Sequence, residues 1–86
     1  MRLTWLPGGW GDYLHWQETD RKILARVNEL IRDTLRNPFA GIGKPEPLKG
    51  NLRGWWSRRI TQEHRLVYRV DGDAVVILPC RFHYDP

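Results

Sequence analysis

Side chains that together can move protons and bind phosphate lie in the second half of this 86-residue chain. Glu46 sits between Pro45 and Pro47, whose rings restrict the backbone and present its carboxylate from a stiff segment. A carboxylate held among Lys44, Lys49 and Arg65 can take a proton from a ribose hydroxyl. The same cations would stabilise the alkoxide and phosphorane that develop during attack on a phosphodiester. Arg65 and its neighbours offer bidentate donors that match phosphate oxygens. His83 has the side chain that both donates and accepts near neutrality, and Tyr84 beside it could stack on a base or bond a phosphate. Each residue also has a plainer reading. Glu46 would balance a basic loop, the arginines would solvate a strand face, His83 would be structural, and Tyr84 would close a sheet.

Charge distribution sharpens the question. The net formal charge is +4, but residues 1–43 hold six Lys/Arg against five Asp/Glu. Residues 44–70 carry Lys44, Lys49, Arg53, Arg58, Arg59, Arg65 and Arg69 against only Glu46 and Glu63. A basic second half on a small domain points to a polyanionic partner or, equally, to solvated strand residues that keep edges soluble. One cysteine, Cys80, cannot staple the fold, and with three scattered histidines it cannot build a zinc site. A zinc site is therefore not expected. The start, Met1 to Trp5, lacks the pattern of a secretion signal, and no apolar run is long enough to span a bilayer. A single domain over residues 1–86 in a reducing cytoplasm is the expectation. Walker, dinucleotide, HExxH and Ser-His-Asp patterns are absent from the sequence.

The elements that must position these groups are legible from spacing. Residues 2–6 alternate as a short strand, which Pro7, Gly8 and Gly9 are expected to break. Trp10, Tyr13 and Leu14 then follow helical spacing, a weak helix with glycines at its start. Thr19 or Asp20 reads as the cap of a stronger helix carrying Ile23, Val27, Leu30, Ile31 and Leu35, stopped by Asn37-Pro38. Residues 38–51, with three prolines and three glycines, read as an irregular and functional loop. Residues 54–60, 64–70 and 74–84 read as strands, the last two joined by the hairpin signal Asp71-Gly72-Asp73. The expected fold is α+β, two helices packed on one face of a small twisted, mainly antiparallel sheet.

Strand parity then predicts a second, uncovered face. With Leu66, Tyr68 and Val70 inward, and Val76, Leu78, Cys80 and Phe82 inward, Arg65, Arg69, Arg81 and His83 share that face. Ser57 and Arg59 join them if Trp56 and Ile60 point inward, although a bulge at Pro79 would reverse the parity beyond it. Trp55 and Trp56 must point to opposite faces, one into the core and one to the basic side.

WQETD (16–20), GKPEPLKGNL (43–52), WSRRITQEHRLVY (56–68) and CRFHY (80–84) resemble the Txe/YoeB family of toxins, in the RelE/ParE superfamily of toxin–antitoxin modules. The resemblance runs from Arg2 to Tyr84. It implies a RelE-like fold and an mRNA endoribonuclease working without metal in the A site of the 70S ribosome. There the substrate's 2′-hydroxyl attacks the neighbouring phosphate, leaving a 2′,3′-cyclic phosphate and a 5′-hydroxyl. By the same resemblance Glu46 is the general base, Arg65 the transition-state stabiliser, His83 the general acid and Tyr84 a substrate-positioning residue. Lys49 and Arg59 match RNA-holding positions, and Lys44 and Arg81 extend that basic surface. Partners implied are mRNA, a YefM/Axe-like antitoxin with an acidic and apolar C-terminal segment, and a second copy of the chain. Pro7, Gly8 and Gly9 depart from the family's polar helix starters and imply a looser first helix. The alternatives are a noncatalytic toxin of the same superfamily, such as the gyrase-poisoning branch, and a noncatalytic RNA-binding domain.

Overall fold

Leu3 and Trp5 alternate with Arg2 and Thr4, and this pattern forms β1 (Arg2–Trp5) in the computed structural model, which describes residues 1–78. Pro7 does not separate β1 from a later helix; it opens one. Helix α1 (Pro7–Thr19) carries the proline in its first turn, where a missing N–H costs nothing and the fixed φ suits the helix. The expected start at Trp10 is thus three residues late. Gly9 is required for space, because a Cβ there would stand 2.7 Å from the carbonyl oxygens of Ile77 and Leu78. Trp10 and Tyr13 then pack with Trp5 of β1 as an aromatic cluster.

Asp20, rather than Thr19, caps α2 (Arg21–Arg36), its carboxylate accepting from the backbone N–H groups of Lys22 and Ile23. Val27, Leu30 and Ile31 form its buried stripe. Beyond Asn37 the chain is less irregular than its composition implies. Glu46–Pro47 form β2 and Gly50–Leu52 a 3₁₀ turn. Proline is tolerated in β2 because the strand lies at the sheet edge.

Three strands complete the sheet: β3 (Trp56–Arg59), β4 (Arg65–Asp71) and β5 (Ala74–Ile77). The order is β1-β5-β4-β3-β2, with β1 parallel to β5 and every other pair antiparallel. Trp16 of α1 and the α2 stripe pack on Leu66, Tyr68, Val75 and Ile77, so both helices cover one face, as expected. One parity assignment is corrected. Val75 and Ile77 point to the helices, whereas Val76 lies in register with Arg69 and Thr4 on the opposite face. The shift follows from the hairpin register, which pairs Asp71 with Ala74 and Val70 with Val75. Alternation from Val76 therefore no longer supports grouping Arg81 and His83 with Arg65, and those residues lie outside the described ones. Among the described residues no helix is long and apolar enough to cross a membrane.

Candidate active site

Glu46 reaches the sheet through a backbone kink. Gly43 and Lys44 both adopt positive φ, 78° and 52°, and a Cβ on Gly43 would stand 2.6 Å from the Leu30 side chain. The Arg59 N–H donates to the Gly43 carbonyl at 2.7 Å, and the Leu48 N–H to the Trp55 carbonyl at 2.9 Å. These bonds fasten both ends of β2 to β3. Register then places Glu46 opposite Ser57, Ser57 opposite Val67, and Arg59 opposite Arg65. With Trp56 and Ile60 against the core, Ser57 and Arg59 do fall on the face away from the helices, where Arg59 is exposed while Ser57, Val67 and Val76 are buried.

On that face the structure brings together two of the expected reacting groups. Arg65 Nη1 lies 3.7 Å from Glu46 Oε1, an ion pair longer than a hydrogen bond. Its members differ in access. The Arg65 side chain is 12% exposed and the Glu46 side chain 58%, so a fixed cation underlies an accessible carboxylate. Arg59 is exposed beside Arg65, and Lys44 and Lys49 are exposed at the two ends of the β2 segment. Ser57 is buried next to Glu46, and its hydroxyl has no hydrogen-bond partner among the described residues. Arg81, His83 and Tyr84 fall outside the described residues. Among the described residues no three His, Cys, Asp or Glu side chains cluster as a metal site.

Arg58 belongs to a different region, although the charge count grouped it with Arg59. Its side chain is 0% exposed on the helix-covered side. Nε donates to the Tyr68 hydroxyl at 3.1 Å. Nη1 donates to Asp33 Oδ2 at 2.6 Å and the Ile42 carbonyl at 3.1 Å. Nη2 donates to the carbonyls of Asn37 at 2.6 Å and Ala40 at 3.0 Å. All five guanidinium donors are satisfied. Tyr68 in turn donates to the Pro38 carbonyl at 2.6 Å. The hydrogen bond from Arg58, reinforced by the Ile42 N–H, holds the Asp33 carboxyl below its ordinary value. Burial pushes the Tyr68 hydroxyl up, against the opposing bond from Arg58. This network ties residues 37–42, the segment leading to Glu46, to α2 and β3. Sequence parity carried the signal, since Arg58 falls between outward Ser57 and Arg59. The pull of its charge obscured it.

Residues 5–84 match the family model described as a YoeB-like toxin of bacterial type II toxin–antitoxin systems. The chain belongs to this family. It is 62% identical to toxin YoeB of Escherichia coli K12, over 98% of this chain and 100% of that protein. The fold matches a YoeB/ParE toxin from Agrobacterium tumefaciens with a TM-score of 0.95 and 55% identity, covering 98% and 100% of the two chains. A YoeB–YefM complex from Staphylococcus aureus matches at TM-score 0.89 and 45% identity, and a YoeB dimer from that organism at 0.90 and 46%, each covering 98% of both chains.

For a YoeB-family toxin the paired Glu46 and Arg65 have chemically distinct capacities. The exposed carboxylate can accept a proton from a hydroxyl approaching the face. The guanidinium beneath it can hold charge that builds on an adjacent oxygen, and its partial burial strengthens that attraction by excluding water.

Proposed function

We propose that this single-domain toxin is a ribosome-dependent mRNA endoribonuclease of the cytoplasm, acting by general acid–base catalysis on its own residues. The observation that supports it is the pairing of Glu46 with Arg65 on the sheet face away from the helices. Glu46 removes the proton from the ribose 2′-hydroxyl, whose oxygen attacks the adjoining phosphorus. Arg65 binds the non-bridging oxygens as their negative charge grows. The bond from phosphorus to the 5′-oxygen breaks, His83 supplies the proton that this oxygen needs, and Tyr84 orients the substrate. The products are a 2′,3′-cyclic phosphate and a 5′-hydroxyl. Lys44, Lys49, Arg59 and Arg81 hold the RNA backbone by charge.

Control by an antitoxin follows from the same surface. The Staphylococcus aureus toxin has been solved with YefM and as a dimer, and both associations are proposed for this chain. An acidic and apolar antitoxin segment would cover the basic face and block RNA. The test is brief expression of the toxin followed by mapping of mRNA 5′ ends. New ends within translated codons, absent when translation is blocked and absent for Glu46→Gln, are expected. Cuts that persist on naked RNA would refute ribosome dependence. Cuts made equally by Glu46→Gln would refute the role of the carboxylate.

A further inference from the structure

On the same face away from the helices, two residues beyond Val67, the Arg69 guanidinium lies over the Trp55 ring at 4.8 Å from its centroid. Trp55 precedes inward-facing Trp56, so its half-buried ring is on the face away from the helices, where the register continued from Trp56 and Tyr68 brings it opposite Arg69. The Arg69 side chain remains 45% exposed, which leaves the guanidinium open away from the indole. Asp71 stands 3.9 Å from it and offsets part of its charge. An acidic partner therefore gains little from this arginine. A flat π-system gains more, because guanidinium planes accept stacked bases as aromatic rings do.

The position matters as much as the chemistry. Two residues along an antiparallel strand span about 6.8 Å. Arg69 is two residues from Val67, which shares a row with Ser57 and Glu46. It thus lies about one such step from the carboxylate row, on the side away from Arg59 and Arg65. Glu46 lies two strands away, about 9.6 Å across the sheet, so the Arg69 and Glu46 backbones stand about 12 Å apart, a gap that their side chains and one nucleotide span. We propose that Arg69, oriented by Trp55, is the stacking platform for the base of a nucleotide flanking the scissile phosphate. Arg69 touches the base, and Trp55 is a positioning residue. This rests on the endoribonuclease reading and adds a determinant of where along a codon the chain is cut.

The test compares ribosomes programmed with intact mRNA and with mRNA made abasic at either nucleotide flanking the cut. Wild-type toxin should lose roughly 5- to 150-fold in kcat/KM on one abasic mRNA, the range expected for one stacked base. Arg69→Ala and Trp55→Leu should show that loss already on intact mRNA, with little further penalty from the missing base. Arg69→Lys keeps the charge without the plane and should behave like Arg69→Ala. A wild type that cleaves but ignores the missing base, or an Arg69→Ala variant that keeps the full penalty, overturns the platform and leaves the nuclease reading intact. An equal loss by the variants on both substrates marks a structural effect and overturns it too. So does an Arg69→Ala variant impaired only in neutralisation by antitoxin, which would assign the face to a protein partner. If wild-type toxin cuts neither mRNA while remaining folded, the nuclease reading itself fails and the platform with it.

Discussion

Arg58 and Arg65 face opposite sides of one sheet from neighbouring strands, and their surroundings could hardly differ more. Arg58 spends all five donors on Asp33, Tyr68 and three loop carbonyls, with no exposed surface. Arg65 pairs at 3.7 Å with the Glu46 carboxylate, which is 58% exposed. Strand parity alone separates them, because each step along β3 or β4 turns the side chain to the other face. The lesson is that a cation's chemistry here is set by the face its strand position gives it and by what stands beside it there. A guanidinium enclosed by framework acceptors holds the fold together, whereas one paired with an accessible carboxylate sits where a substrate can reach that pair.

The sharpest way to break this contrast is to remove each arginine in turn. Arg58→Ala leaves Asp33 and the Asn37, Ala40 and Ile42 carbonyls without their charged donor, and should cost about 3–5 kcal/mol of stability. The denaturant midpoint measures it. A shift under about 1 kcal/mol would mean that the network is dispensable. Arg65→Ala should do the opposite. Cleavage on ribosomes should slow by at least about a hundredfold, near the 2.7–4 kcal/mol expected for one preorganised donor, with the denaturant midpoint almost unchanged. Unfolding by Arg65→Ala would assign that residue to the framework as well.

Acid should sharpen the comparison with a smaller effect. The folded protein holds the Asp33 carboxyl below its ordinary value through the Arg58 hydrogen bond, so the unfolded chain takes up the proton first. Stability from this group is complete above the ordinary carboxylate range and is lost as pH falls through the lowered folded value. Thermal melts between neutral pH and pH 3 should therefore fall more steeply for wild type than for Asp33→Asn. Identical acid slopes would show that the pair contributes nothing to acid sensitivity.

Much of this arrangement was legible from local pattern. The α2 stripe from Ile23 to Leu35, the Asp71-Gly72-Asp73 hairpin and the outward parity of Ser57, Arg59 and Arg65 follow from spacing alone. Pro7 misled because a proline that ends a strand and one that begins a helix look alike without knowledge of what lies behind Gly9. The parity of β5 depended on hairpin register, a pairing between strands that neither strand encodes by itself. The Glu46–Ser57 pairing was likewise hidden, since two residues between prolines and glycines carry no strand signal. The roles proposed for Glu46, Arg65, His83 and Tyr84 rest on the family resemblance, and the proximity of the first two adds a physical reason for theirs alone.

The most direct test is end-group analysis of mRNA cut by purified toxin on programmed ribosomes. Fragments should carry a 2′,3′-cyclic phosphate upstream and a 5′-hydroxyl downstream when no metal is added, with Glu46→Gln slower by at least about a hundredfold. A 5′-phosphate on the downstream fragment would mean that water or another nucleophile had attacked, and that Glu46 and Arg65 are not the machinery described.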